Sequence, residues 1–287
     1  MTIRELIKRG METIQKREYN NPYLEANLIL SDVLEVKKVY VMTHLDEDVP
    51  APKVEQYLKR IDLRNQGYPL AYIIKRQEFM GLDFYVTQGV LVPRPDTENI
   101  VERLVDLSNS YFRGVNNIRV LDIGSGSGAI GCSLAYYIKN CEVEAFDVSL
   151  RAVRVCRINQ KKLGLHNYTV SQQDVFQPWE KVRGKYHIVV SNPPYIPRKH
   201  IDHLQWEVSI HEPRLALDGG VTGLDYYERI IQTYSEVATE KSVLAFEFGW
   251  DQKNKVMALM EKEGQFEEYE QIKDLQGLDR GVIGYRR

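Results

Sequence analysis

Arg119-Val120-Leu121-Asp122-Ile123-Gly124-Ser125-Gly126-Ser127-Gly128 is an apolar run that passes into three alternating glycines and then into a helical pattern opening at Ala129. This order predicts a buried strand that ends in a loop and starts a helix. Glycines in such a loop let the backbone pass close to a ligand and take torsions that other residues resist. Nineteen residues beyond Gly128, a second strand pattern ends in Asp147, where a carboxylate can accept both hydroxyls of a ribose. The spacing fits a dinucleotide site nearly as well, because Gly124-x-Gly126-x-x-Ala129 satisfies the relaxed fingerprint. A strand-to-helix turn without a ligand is the plain alternative.

Outward from this loop, apolar runs alternate with helical patterns over residues 118–123, 129–138, 143–146, 150–163, 168–170, 187–191, 226–238 and 243–248. Such alternation predicts an α/β fold with a doubly wound, mostly parallel sheet. Upstream, Phe79, Leu82, Phe84, Val86, Val90 and Leu91, broken by Gly81 and Gly89, predict a short β-hairpin connector. The first residues read as a small helical bundle, with Ile3, Leu6, Ile7, Met11 and Ile14 at helical spacing, then Tyr23, Leu24, Leu28, Val33 and Leu34, then Val54, Leu58, Ile61 and Leu63. The chain of 287 residues thus divides into a helical domain over 1–78, a hairpin linker over 79–95 and an α/β domain over 96–287, in keeping with about 100–200 residues per domain.

The hydrophobic fraction is 43% and the charged fraction 27%, which argues against disorder and against a disulfide scaffold. No apolar run approaches the roughly 18–20 residues that span a bilayer, and the N-terminus is amphipathic rather than a signal peptide, so a cytoplasmic protein is expected. Cys132, Cys141 and Cys156 form no CxxC pair. They are expected to be reduced packing residues, with no metal site. The net charge of -2 conceals a basic stretch over residues 151–200, with ten Lys and Arg against two acidic residues: Arg151, Arg154, Arg157, Lys161, Lys162, Lys181, Arg183, Lys185, Arg198 and Lys199. It reads either as a solvated helix face with loop charges or as an attractor of a polyanion or acidic protein.

Asn192-Pro193-Pro194-Tyr195, after the apolar run Ile188-Val189-Val190-Ser191, is the most informative stretch. It falls at the carboxyl edge of the sheet, where ligands of this architecture bind. Two adjacent prolines fix their torsions and cannot donate, so carbonyls there can be held outward as acceptors. The chemistry this suits is methyl transfer to a planar NH2, either an amide or an exocyclic base amine. The Asn192 side-chain oxygen and the Pro193 carbonyl could each take one N–H, and Tyr195 could stack on the flat group. A proline-rich turn with a capping Asn is the plain alternative. Asp174 could bond an adenine amino group while Val175 packs on the ring, or could cap its own loop.

Asp122 beside Gly-x-Gly-x-Gly resembles the first motif of the methyltransferases that use S-adenosylmethionine. Further segments carry a more specific resemblance over nearly the whole chain. They are Pro69-Leu70-Ala71-Tyr72-Ile73, Glu78-Phe79-x-Gly81, Val90-Leu91-Val92-Pro93-Arg94-Pro95-Asp96-Thr97-Glu98, Glu212-Pro213-x-x-Ala216-Leu217-x-Gly219-Gly220 and Glu247-x-Gly249-x-x-Gln252. The chain resembles the release factor-specific protein-(glutamine-N5) methyltransferases, the PrmC/HemK family. The resemblance implies a helical domain that helps to hold a class I release factor, and a catalytic domain that methylates the side-chain amide of the glutamine in a Gly-Gly-Gln motif. S-adenosyl-L-methionine would be the cofactor and S-adenosyl-L-homocysteine the product. It places Gly124, Ser125, Gly126, Ser127, Gly128, Asp147, Asp174, Val175 and Asn192 around the cofactor, and Asn192, Pro193, Pro194 and Tyr195 around the target glutamine. Asn192, Pro193 and Tyr195 are the expected catalytic residues.

Three departures from the family pattern stand out. Lys75 occupies a usual glycine, Val175 a usual aromatic, and Val221-Thr222 a usual acidic pair. Asp96 or Thr97 is expected to cap a helix, with Glu98 in its first turn. An adenine-amine (N6) methyltransferase of DNA or RNA is the competing function, supported by the NPPY stretch and opposed by the lack of a recognisable nucleic-acid-binding domain. A monomer without membrane or direct nucleic-acid contacts is expected.

Overall fold

The computed structural model describes residues 1–182, 184–274 and 276–287, so Arg183 of the basic stretch lies outside the described residues. The chain forms two compact units, Met1–Arg76 with Gln205–His211, and Gln77–Leu204 with Glu212–Arg287.

The first unit is built from helices α1 (Ile3–Thr13), α2 (Pro22–Leu34), α3 (Lys38–Thr43), α4 (Ala51–Asn65) and α5 (Leu70–Ile74). Local chemistry sets their ends. Thr2 and Glu5 form a reciprocal capping box on α1, and Asn21 caps α2 with Pro22 at the first helical position. Ile3, Leu6, Ile29, Leu30, Val33, Tyr57 and Ile61 close the core. Met11, Tyr23 and Leu63, which share helical spacing with core residues, are exposed instead. A buried charge cluster occupies part of the interior that the sequence pattern would give to apolar groups. Arg64 grips Glu25 with two bonds of 3.0 and 2.9 Å, and its third nitrogen reaches Glu207 at 2.7 Å. Helix α5 ends on Lys75, a residue with a Cβ held at φ 53° where glycine is the usual occupant.

The second unit opens with a hairpin of β1 (Gln77–Phe79) and β2 (Leu82–Phe84). Its turn residues Met80 and Gly81 both have positive φ, 53° and 67°, the geometry that a two-residue hairpin needs. Along the chain then follow α6 (Glu98–Asn109), β3 (Ile118–Ile123), α7 (Ala129–Tyr137), β4 (Cys141–Asp147), α8 (Leu150–Lys162), β5 (Tyr168–Gln172), β6 (Tyr186–Ser191), α9 (Trp206–His211, which belongs to the first unit), α10 (Asp225–Val237), β7 (Ala238–Glu247), α11 (Lys253–Glu263), β8 (Glu268–Lys273) and β9 (Asp279–Arg286). The sheet order is β5-β4-β3-β6-β7-β9-β8. Strands β3 to β7 pair in parallel, while β9 pairs antiparallel with β7 and β8. The order reverses between β3 and β6, the switch point at which this architecture opens a crevice.

This division differs from the linear one in two places. Phe79, Leu82 and Phe84 pack in the same core cluster as α6 and β3, which makes the hairpin part of the second unit. Helix α9, far along the chain, belongs to the first unit through Glu207 on Arg64, Trp206 under the Arg17 guanidinium at 5.2 Å, and His211 against Tyr68. All three cysteines are buried thiols. Among the described residues no helix is long and apolar enough to cross a membrane.

Candidate active site

The loop after β3 is shaped by its own backbone. Gly124, Gly126 and Gly128 have φ of 74°, 56° and 84°, a region that costs a residue bearing a Cβ about 1–2 kcal/mol. A Cβ on Gly124 or Gly126 would meet nothing within 4 Å, whereas one on Gly128 would come 3.2 Å from the sulfurs of Cys132 and Cys156. The first two glycines therefore border open space and the third packs against the interior. Gly124 and Ser125 donate to the Phe146 carbonyl at 2.9 and 3.1 Å, and Gly126 donates to Asp147 Oδ2 at 2.9 Å. Asp147 Oδ1 accepts from the Ser149 amide at 2.8 Å. Burial pushes the Asp147 carboxyl above its ordinary range, against these two N–H groups, and its oxygens retain capacity for further donors. Asp122 does a different job from below. It is 1% exposed, and its Oδ2 accepts from the Gly131 amide at 3.0 Å, bracing the first turn of α7. Burial raises it to about 7.

The NPPY turn follows β6 directly. Ser191 Oγ donates to the Ile123 carbonyl at 2.8 Å, tying the ends of β6 and β3 together. On its far side the turn is clamped twice. Ile196 donates to Leu217 at 3.1 Å and accepts from Gly219 at 2.9 Å. Gln252 Nε2 donates to the Tyr195 carbonyl at 2.8 Å and to that of Gly223 at 3.3 Å, while Gln252 Oε1 accepts from the Gly249 amide at 3.0 Å. A Cβ on Gly219 would lie 2.8 Å from both the Pro194 oxygen and Tyr195 Cα. The later motifs of the sequence are thus the supports of this turn.

Thr97 does not cap α6. It already has helical torsions and its side chain makes no cap bond, because the 3-10 turn Pro95–Thr97 leads into the helix and leaves the hydroxyl free for a distant partner. That hydroxyl donates to Glu247 Oε2 at 2.5 Å and accepts from Asn192 Nδ2 at 3.4 Å. Asp96 pairs with Arg280 at 3.2 Å, Glu98 accepts from the Met80 amide in the hairpin turn at 2.7 Å, and Arg94 donates to buried Glu212 at 2.6 Å. Burial pushes Glu247 up to about 7, opposed by the Thr97 hydroxyl, the Asn192 amide and Arg280, with Asp96 adding to the rise.

These loops enclose a cavity of about 140 Å³. Gly124, Ser125, Gly126, Ser127, Asp147, Asp174, Val175, Asn192, Pro193 and Pro194 stand in its wall. Gly128 and Tyr195 do not. Gly128 packs on the two thiols, and the ring of Tyr195 lies against Gly249 and the core cluster beneath β7. Asp174 Oδ1 accepts from the Phe176 amide at 2.9 Å, so it caps its loop while facing the cavity. Val175 is buried, and its carbonyl holds Trp179 and Arg229. Thr97, Phe146 and Tyr226, which were not among the expected site residues, also stand in this wall, as does Arg94 of the family-like segment 90–98. Glu247, Gly219 and Gln252 lie in the family-like segments but have no role in the expected site. For Glu247 a signal was present, a carboxylate closing an apolar strand just as Asp122 does.

The glycine loop, the acid ending the next strand and the NPPY turn at the switch point define the fold of the S-adenosylmethionine-dependent methyltransferases. A methyltransferase from Pyrococcus furiosus shares this fold, with a TM-score of 0.51 and 16% identity over 82% of this chain and 98% of that one. Residues 104–221 match the methyltransferase small domain, and residues 5–74 match the PrmC N-terminal domain. The chain is 37% identical over 276 residues to the release factor glutamine methyltransferase of Clostridium acetobutylicum, covering 96% of this chain and 95% of the relative. It is 36% identical over 292 residues to that of Moorella thermoacetica, covering 100% and 99%. The chain belongs to the release factor glutamine methyltransferase family.

Proposed function

We propose that this protein transfers the methyl group of S-adenosylmethionine to the side-chain amide nitrogen of the glutamine in the Gly-Gly-Gln motif of a peptide-chain release factor. The observation that carries this reading is that Asn192 and Pro193 share one cavity wall with the glycine loop and Asp147. The residues fit the cofactor, because the space beside Gly124 and Gly126 is what a Cβ would fill and Asp147 offers carboxylate acceptors next to it. When bound, S-adenosylmethionine supplies an electrophilic methyl group on a sulfonium. Everything else falls to the chain. An amide nitrogen is a poor nucleophile because its lone pair is delocalised. Asn192 Oδ1 and the Pro193 carbonyl each accept one N–H, which orients the nitrogen and favours the geometry of attack. The nitrogen then loses a proton after transfer. Pro194 and Tyr195 hold this turn in shape, and Ser125, Ser127, Asp174 and Val175 complete the cofactor side.

The first unit, in this reading, binds the body of the release factor, and binding energy from the non-reacting parts of a substrate helps to position it. An adenine-amine target is disfavoured by family membership. Incubation with methyl-labelled S-adenosylmethionine and, in parallel, a release factor or DNA tests the proposal. Label is expected in the release factor, and label in DNA alone would reject it.

A further inference from the structure

An Asn side chain is nearly symmetric in shape but not in chemistry, since one end of its amide donates and the other accepts. If Asn192 is to accept an N–H from the methyl acceptor, only one of its two flips works. The register of the sheet puts the relevant groups together. Ser191 of β6 pairs with Phe246 of β7, so Asn192 and Glu247 leave adjacent parallel strands at the same level, and Thr97 reaches both from the turn before α6.

We infer that Thr97 and Glu247 are positioning residues that turn the Asn192 amide so that Oδ1, not Nδ2, is offered to the substrate. This rests on the functional reading above, in which Asn192 Oδ1 is an acceptor. With Glu247 ionised, the single proton of the Thr97 hydroxyl is committed to Glu247 Oε2 at 2.5 Å. The Thr97 oxygen can then only accept, so the group 3.4 Å away must donate, and Asn192 Nδ2 does. The Asn192 amide also favours the charged form of the Glu247 carboxyl. Thr97 and Glu247 are 4% exposed each, so water does not readily replace either bond. In the opposite flip, Asn192 Oδ1 would face the lone pairs of the Thr97 oxygen. Leaving buried acceptors mismatched in this way disfavours that flip by ~10–100-fold. The acceptor is thereby fixed before substrate arrives, at no cost to the substrate's own binding energy.

Thr97→Val keeps the shape of the side chain and deletes the hydroxyl. Its kcat on the release factor is expected to fall about tenfold or more, with KM and the Kd for S-adenosylhomocysteine within about twofold of wild type. Thr97→Ser restores the hydroxyl and should recover most of that rate. A kcat for Thr97→Val within twofold of wild type would overturn the inference. So would a loss residing in cofactor affinity, or a Thr97→Ser variant as slow as Thr97→Val. Should Thr97→Val not fold, Glu247→Gln serves instead. Its side-chain amide offers donor and acceptor alike and so permits both flips. A several-fold lower kcat with unchanged S-adenosylhomocysteine binding is expected, and an unchanged kcat overturns the idea. Wild-type enzyme that leaves the release factor unlabelled rejects the functional reading, and this inference with it. Wild type and Thr97→Val labelling it equally well rejects the positioning role alone.

Discussion

Replacing Gly219 by alanine probes the support of the catalytic turn with a magnitude set by the structure. The new methyl would sit 2.8 Å from the Pro194 oxygen and from Tyr195 Cα, and 2.9 Å from Gly223 Cα. All three are main-chain atoms, so no side chain can rotate away. Ordinary contact begins at 3.4 Å, so the turn must retreat by about 0.6 Å. A misplacement of 1 Å near reacting groups can cost on the order of 10²-fold in rate, which scales to about a tenfold fall in kcat here. The overpacking costs about 1–3 kcal/mol, which a folded chain of this size usually survives. The glycine loop is not touched, so S-adenosylhomocysteine should bind within twofold of wild type. The assay is labelled methyl transfer at saturating cofactor, with calorimetry for binding and a thermal melt for folding. A kcat within twofold of wild type, in a variant whose melting temperature has fallen, would show that the strain is absorbed elsewhere and that the Gly219 contact does not place the turn.

Asn192→Ala should lower turnover by ~10²–10³-fold, the usual cost of one oriented hydrogen-bonding group at the reacting centre, while calorimetry still detects S-adenosylhomocysteine binding. Asp147→Ala should act on the other side of the cavity, weakening S-adenosylhomocysteine by about ten- to a hundredfold for the loss of a charge-assisted bond of roughly 1.5–3 kcal/mol; unchanged affinity would remove Asp147 from the cofactor site. Lys75→Gly relieves a left-handed residue with a Cβ and should stabilise the chain by roughly 0.5–1 kcal/mol in denaturant titrations, and a destabilised variant would contradict the strain argument. Burial holds Glu247 and Asp122 at about 7 in the folded chain, above their ordinary 4.5 and 3.8. Between those limits only the folded chain keeps the protons, so stability falls as pH rises through this window and levels off above about 7. The melting temperature should be lower near pH 8 than near pH 5.5, less steeply so in Glu247→Gln, and an equally steep fall in that variant would mean that Glu247 is not a source of the effect.

The parallel core of the fold was legible because its strands are buried on both faces and read as continuous apolar runs, as in residues 118–123 and 187–191. The antiparallel edge was not. Glu268–Lys273 is a polar strand whose pattern gives little sign of burial, and β9 inserts between it and β7, a placement that no local pattern fixes. The glycine loop, Asp147 and Asn192 were readable because each lies next to a strand end, where local pattern fixes position. Thr97 was misread as a cap because nothing local shows that its hydroxyl reaches Glu247, 150 residues away. Arg64 and Glu25 look like surface charges in a helical repeat, and only the fold reveals that they bury each other. Tyr195 was expected to stack on the substrate from its place in the motif, whereas Gln252 and Gly219 hold the main chain so that its ring packs against Gly249.

If this site methylates an amide held by Asn192 and Pro193, the modified atom lies in the release factor itself. Mass spectrometry of the release factor after incubation with the enzyme and S-adenosylmethionine tests it most directly. A single added methyl group is expected on the side-chain nitrogen of the Gly-Gly-Gln glutamine, absent when Asn192→Ala replaces the wild-type enzyme. A methyl group on any other residue, or a glutamine left unmodified while the enzyme still consumes S-adenosylmethionine on another substrate, would contradict it.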